Sequence, residues 1–172
     1  ASGLAAAQRA NAGSQGPRLL PGTYTVRLSK AGKVYETQLA IVLDRRDAFT
    51  LEDRKAQFDA AMHAHALFGR MTDLSDRLVG LKSLAVERQA AAKDSKAAAQ
   101  LAGKFADSAE ELRKQIVATK EGGAVTGEER LRENLDDVYG ALLSYEGRPG
   151  DYLIARVDAL ERELKDVEEH AA

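Results

Sequence analysis

Residues 21–41, PGTYTVRLSKAGKVYETQLAI, carry the period-two pattern on which the reading of this 172-residue chain turns. Tyr24, Val26 and Leu28 alternate with Thr23, Thr25 and Arg27, as in a strand with one apolar and one polar face. Tyr35, Thr37, Leu39, Ile41 and Leu43 fall on one face of a second strand. Lys30-Ala31-Gly32 supplies the turn between them, with glycine free to take positive φ. Residues 17–46 therefore read as a β-hairpin, and the small polar residues 1–16 as a linker or tail. Two strands are marginal in water. The hairpin needs the helices, another chain or a missing piece of sheet.

Residues 47–172 read as helix. Thr50-Leu51-Glu52-Asp53 is a variant capping box opening a long helix. Phe58, Met62, His65 or Ala66, Gly69, Leu74, Leu78 and Leu81 mark its imperfect apolar stripe to about residue 88. A second helix starts near Asp94-Ser95, with Leu101, Phe105, Ala109, Leu112 and Ile116 at 3-4 spacing. Glu121-Gly122-Gly123 breaks it, and Thr126 with Glu129 makes a second capping box. The third helix runs through Leu131, Leu135, Val138, Leu142 and Tyr145. Glu146–Gly150 is short enough to force an antiparallel reversal into a last helix carrying Leu153, Val157, Leu160, Leu164 and Val167. The fold class predicted is mainly α: an antiparallel three- to four-helix bundle with an N-terminal β-hairpin. The first helix looks about twice as long as each of the last two, so it overhangs, and its excess face is one place for the hairpin to pack.

The chain is 44% hydrophobic, 30% charged and only 5% aromatic, which favours helices packed through Leu, Val and Ala. A net charge of −2 argues against a nucleic-acid partner. Charge is uneven: residues 1–46 carry +5 and the remainder −7. Solvated surface is one reading of that asymmetry. The other is a basic start docked on an acidic surface such as that of the helices. No cysteine is present, so disulfides and thiolate metal sites are out. The longest apolar run, Leu39–Leu43, is far short of a membrane span, and no signal peptide is visible. The chain starts at Ala1 rather than Met, so its natural N-terminus is expected upstream.

No catalytic constellation emerges. His63 and His65 lie roughly 200° apart around one helix and cannot chelate one metal. His170 lies in an acidic end, and paired Glu-x-x-His motifs are absent. Neither a nucleophile elbow nor a P-loop spacing occurs. Glu121–Gly127 precedes a helix start, but Glu128 and Glu129 in the first turn would satisfy the dipole themselves. Arg130 and Arg132 suggest surface pairs three and four residues along. Gly69, Gly80, Gly103 and Gly140 each cost a helix about 1 kcal/mol, which close packing would justify at one or two of them. No cofactor is expected, and no enzyme activity is assigned.

Three segments carry a family resemblance. LLPGTYTVRLSKAGKVYETQLAIVLD (19–44) resembles the last two strands of the Ig-like module near the C-terminus of bacterial exported sortilin-like, BNR-repeat β-propeller proteins. DRRDAFTLEDRKAQFDAAMHAHALFGRM (44–71) is similar to the helix that follows that module. IVATKEGGAVTGEERLRENLDDVYGALLSYEGRPGDYLIARVDALERELKDVE (116–168) resembles the helical segment that closes those chains. The resemblance implies a non-enzymatic structural and protein-interaction module, exported to the periplasm or beyond. It implies that the hairpin is part of a sandwich whose earlier strands, and whose propeller, lie outside this chain. The partner is then the missing N-terminal part of the same polypeptide, or another protein chain. The candidate interaction edge is Tyr24, Val26, Leu28, Tyr35, Leu39 and Ile41. The alternative is a self-contained helical adaptor or homo-oligomerisation protein.

Overall fold

The computed structural model describes residues 15–46, 48–92, 94–119 and 128–172. Strands β1 (Gly22–Lys30) and β2 (Lys33–Ile41) form a two-stranded antiparallel sheet. Four helices follow: α1 (Leu51–Ala91), α2 (Lys96–Ile116), α3 (Leu131–Ser144) and α4 (Asp151–His170). The molecule is mainly helical with an N-terminal hairpin, as the sequence predicts.

Thr50 caps α1 as expected. Its hydroxyl accepts from the Asp53 N–H at 3.1 Å, and the Asp53 carboxylate accepts from the Thr50 N–H at 3.0 Å. Ser95 caps α2 by accepting from the Ala98 N–H at 3.3 Å. α1 has 41 residues, about 60 Å at 1.5 Å per residue. Its length gives it two sets of neighbours. Along its first half α3 runs antiparallel, joined by Gln57 to the Leu142 carbonyl and by Arg54 to the Glu146 carbonyl. α4 runs parallel to the same half, held by His63–Glu161 at 2.9 Å and by Arg70 to Glu161 and Glu168 at 2.6 and 2.7 Å. The second half pairs with α2, where Lys82 meets Glu110 at 3.1 Å.

The core runs through Leu67, Met71, Leu74 and Leu78 of α1, Leu135, Tyr139 and Leu142 of α3, and Val157, Leu160 and Leu164 of α4. Phe68 sets its ring edge against Tyr139, 5.5 Å between centroids. The stripes of α3 and α4 match their sequence pattern, except that Tyr145 lies beyond the end of α3 and is exposed.

Four expectations need correction. The α1 stripe is mis-phased in its first half: Met62 is exposed and Phe58 half-buried, while Arg54, Gln57, Ala61 and Ala64 face inward. Alanine lets the helix approach its neighbours closely, and the Gln57 and Arg54 side chains are taken up by the Leu142 carbonyl of α3 and the Glu146 carbonyl just after it. On α2, Leu101 and Phe105 are exposed and Ala106 is buried, because α2 meets only the overhanging half of α1 near its start. α3 opens at Leu131, so Glu128 and Glu129 precede the helix instead of filling its first turn. Glu133 occupies that turn and accepts from the Arg130 N–H at 3.1 Å, while Thr126 lies outside the described residues. Arg132, expected on the surface, is buried and pairs with adjacent Glu133. Of the helical glycines, Gly69 and Gly80 face open space and a Cβ at Gly103 would meet only the end of the exposed, flexible Gln89 side chain, so close packing does not call for glycine at these three positions.

Candidate interaction surface

The hairpin stands apart from the helices. Neither strand packs on any helix, the overhang of α1 included, so the excess face of that helix does not carry it. Its register sets Tyr24 opposite Leu39, Val26 opposite Thr37, Leu28 opposite Tyr35, and Gly22 opposite Ile41. Directly opposed residues share a face, so all six candidate residues lie on one side. Val26 is 45% exposed, Leu28 60%, Tyr35 55% and Leu39 49%. Tyr24 and Ile41, at the base, are half-buried. The alternation places Leu43 on the same strand face, but β2 ends at Ile41 and Leu43 belongs to the connection.

The reverse face is mostly polar, with Val34 58% exposed among Thr23, Thr25, Arg27, Ser29, Glu36 and Gln38. Arg27 donates to Glu36 at 2.6 Å, and Gln38 donates to the Thr25 hydroxyl at 3.1 Å. Among the described residues the sheet has two strands, so each has one edge without a neighbouring strand. The turn is tight: Ala31 at φ 50° and Gly32 at φ 75° both occupy the left-handed region, the geometry of a type I′ turn.

The base is tied to the bundle by residues 15–21. The Tyr139 hydroxyl donates to the Gln15 carbonyl at 2.8 Å, and Arg18 pairs with Glu146 at the end of α3. The Tyr24 hydroxyl closes the segment on itself by donating to the Leu20 carbonyl at 2.7 Å. Of the basic start, Arg18 pairs with a carboxylate just beyond α3, whereas Arg27 and Arg46 pair with Glu36 and Asp44 of their own segment.

Two features escaped the sequence reading. Leu84 on α1 and Leu101 and Phe105 on α2 are exposed on the overhang. Arg54 is buried beside the hairpin base. The histidines sit apart: His63 bridges to Glu161, His65 lies 6.2 Å from the Tyr139 ring, and His170 contacts the Asp166 carbonyl. Among the described residues no group of three His, Asp or Glu side chains converges to hold a metal ion, and no helix is long and apolar enough to cross a membrane.

Geometry defines a helical bundle presenting a β-hairpin with an open apolar face and open edges. Comparison with protein-family models, curated proteins and solved structures returned no match.

Proposed function

We propose that the chain is a non-enzymatic structural and protein-interaction module, the C-terminal part of a larger exported β-propeller protein of the sortilin-like, BNR-repeat type. Its hairpin supplies the last two strands of an Ig-like sandwich. What carries this reading is the half-open apolar face of Val26, Leu28, Tyr35 and Leu39 on strands that no helix covers. Its partner is the N-terminal part of the same polypeptide. Earlier strands would supply both edge hydrogen bonds and a facing apolar layer. The test is native mass spectrometry of the chain purified from its source. Travel with a larger N-terminal fragment is the expected result, and a lone monomer overturns the reading.

A second reading, a self-contained helical adaptor or homo-oligomer, draws on Leu84, Leu101 and Phe105 exposed on the overhang. It predicts a homodimer in the same measurement, abolished by Phe105→Glu with Leu101→Glu.

A further inference from the structure

The hairpin meets the bundle across a cavity of about 380 Å³ whose charged lining is Arg18, Asp44, Arg54 and Glu146. Each carboxylate already has an arginine. Asp44 accepts from Arg46 Nε and Nη2 at 3.0 and 2.5 Å, and Glu146 pairs with Arg18. Arg54 has none. Its Nη1 donates to Gln57 Oε1 at 3.2 Å and to the Glu146 carbonyl at 3.1 Å, both neutral acceptors. Yet the residue is 5% exposed. Burial and the neighbouring charge of Arg18 both pull its pKa below the usual guanidinium value.

A buried cation without a counter-charge is costly. Arg54 also lies in the first turn of α1, the positive end of the helix dipole, where a cation is disfavoured. Its Nε and Nη2 have no protein acceptor among the described residues. They are not sealed away either, because among the described residues no enclosed side-chain nitrogen lacks a partner. These two donors form the guanidinium edge that suits a carboxylate side-on. The remaining walls are apolar: Leu19, Pro21, Ile41, Val42 and Leu43.

We propose that this cavity binds a small monocarboxylate with an aliphatic body, the carboxylate accepting from Arg54 and the chain lying against Pro21, Ile41 and Leu43. A bound carboxylate supplies the counter-charge that Arg54 lacks, and a 380 Å³ cavity is within the range of small-molecule sites. The proposal is independent of whether the hairpin joins a sandwich. The carboxylate can come from a free acid or from a peptide C-terminus ending in an aliphatic residue.

Isothermal titration of the full chain at neutral pH tests it. The probes are 4-methylpentanoate, its amide 4-methylpentanamide, acetyl-Ala-Leu with a free carboxylate, and inorganic phosphate. The acid should bind at least about tenfold more tightly than the amide, the discrimination expected of a charge-assisted bidentate pair. Arg54→Met should remove that preference. Tighter binding of the free acid assigns a small-molecule source, and tighter binding of the dipeptide a chain terminus. Equal binding of acid and amide, phosphate binding as tightly as the acid, or no binding of either carboxylate at millimolar concentration overturns the proposal. If Arg54→Met loses its helical circular dichroism, the acid-to-amide ratio on the unaltered chain decides alone.

Discussion

Gln57 is the residue on which the docking of α3 depends most sharply. It is 1% exposed, and its Nε2 donates to the Leu142 carbonyl at 2.7 Å. Leu142 lies in the last turn of α3, where carbonyls have no partner within their own helix. The Gln57 carbonyl oxygen also accepts from buried Arg54 at 3.2 Å. Gln57→Met keeps the length and loses both bonds. Each contributes about 1 kcal/mol, and a buried carbonyl left without a donor costs about 1–3 kcal/mol more. Arg54 Nη1 keeps the Glu146 carbonyl, so its loss is partial. The total is about 3 kcal/mol, or about 6–12 °C in Tm for a chain of this size. Urea unfolding followed by far-ultraviolet circular dichroism, with the slope fitted freely, measures it. Gln57→Glu is the informative control. It loses the donor to Leu142 but gives Arg54 a carboxylate, so it should be milder than Gln57→Met at neutral pH and lose that advantage in acid. A Gln57→Met protein within about 0.5 kcal/mol of the parent would refute the claim that this amide holds α3 to α1.

Leu160 is 0% exposed at the centre of α4, and Leu160→Ala should cost about 2–5 kcal/mol by the same unfolding assay. Ala31 holds φ 50° in the hairpin turn, a conformation that costs an alanine about 1 kcal/mol. Ala31→Asn makes an Asn-Gly type I′ turn and should slow amide exchange severalfold across β1 and β2 only. Helix unfolding should not move, because the turn is at the end of the hairpin remote from the bundle and no helix packs along either strand. The Glu110 carboxyl is held at about 2, first by its bonds from Arg113 and then by Lys82. A depressed folded-state pKa gives stability that is complete above the unfolded value near 4.5 and lost as pH falls towards 2. Glu110→Gln should therefore flatten the loss of stability between those limits, and an unchanged acid limb would sink the assignment.

What was legible in the sequence was whatever has a strict local period or a local cap. The hairpin face follows from alternation, the starts of α1 and α2 from Thr50 and Ser95, and the α4 stripe from leucine and valine at 3-4 spacing. The phase of α1 was not legible, because that helix changes partners along its length. Its first half meets α3 and α4 through alanine, Gln57 and Arg54, and its second half meets α2. Alanine is acceptable on either face, so Phe58 and Met62 drew the stripe towards themselves. Leu101 and Phe105 kept helical spacing yet stayed exposed, since spacing reports a face and not what covers it. The Arg54 cavity was invisible for a different reason. It forms where residues 15–21 fold back on the end of α3, and an arginine near a helix start reads as solvated until that contact is known.

The anchoring of the hairpin bears on what its open face can do. Val26, Leu28, Tyr35 and Leu39 are each about half exposed, so covering them gains about 1 kcal/mol apiece. An isolated hairpin would forfeit much of that gain to the ordering of its own strands. Here the base is already fixed: Gln15 to Tyr139, Arg18 to Glu146, and Tyr24 closing on Leu20. Orientation is set by the bundle, and the I′ turn sets the twist of the free end. A sheet that adds to either edge then gains backbone hydrogen bonds and an apolar layer with little further ordering. Lys30 and Lys33 at the tip, with the Arg27–Glu36 pair behind, make unselective stacking of one hairpin on another unfavourable. Charge guards the turn and the middle of the reverse face, where Val34 is the one open large apolar side chain, and leaves the face of Val26, Leu28, Tyr35 and Leu39 open as a continuous layer.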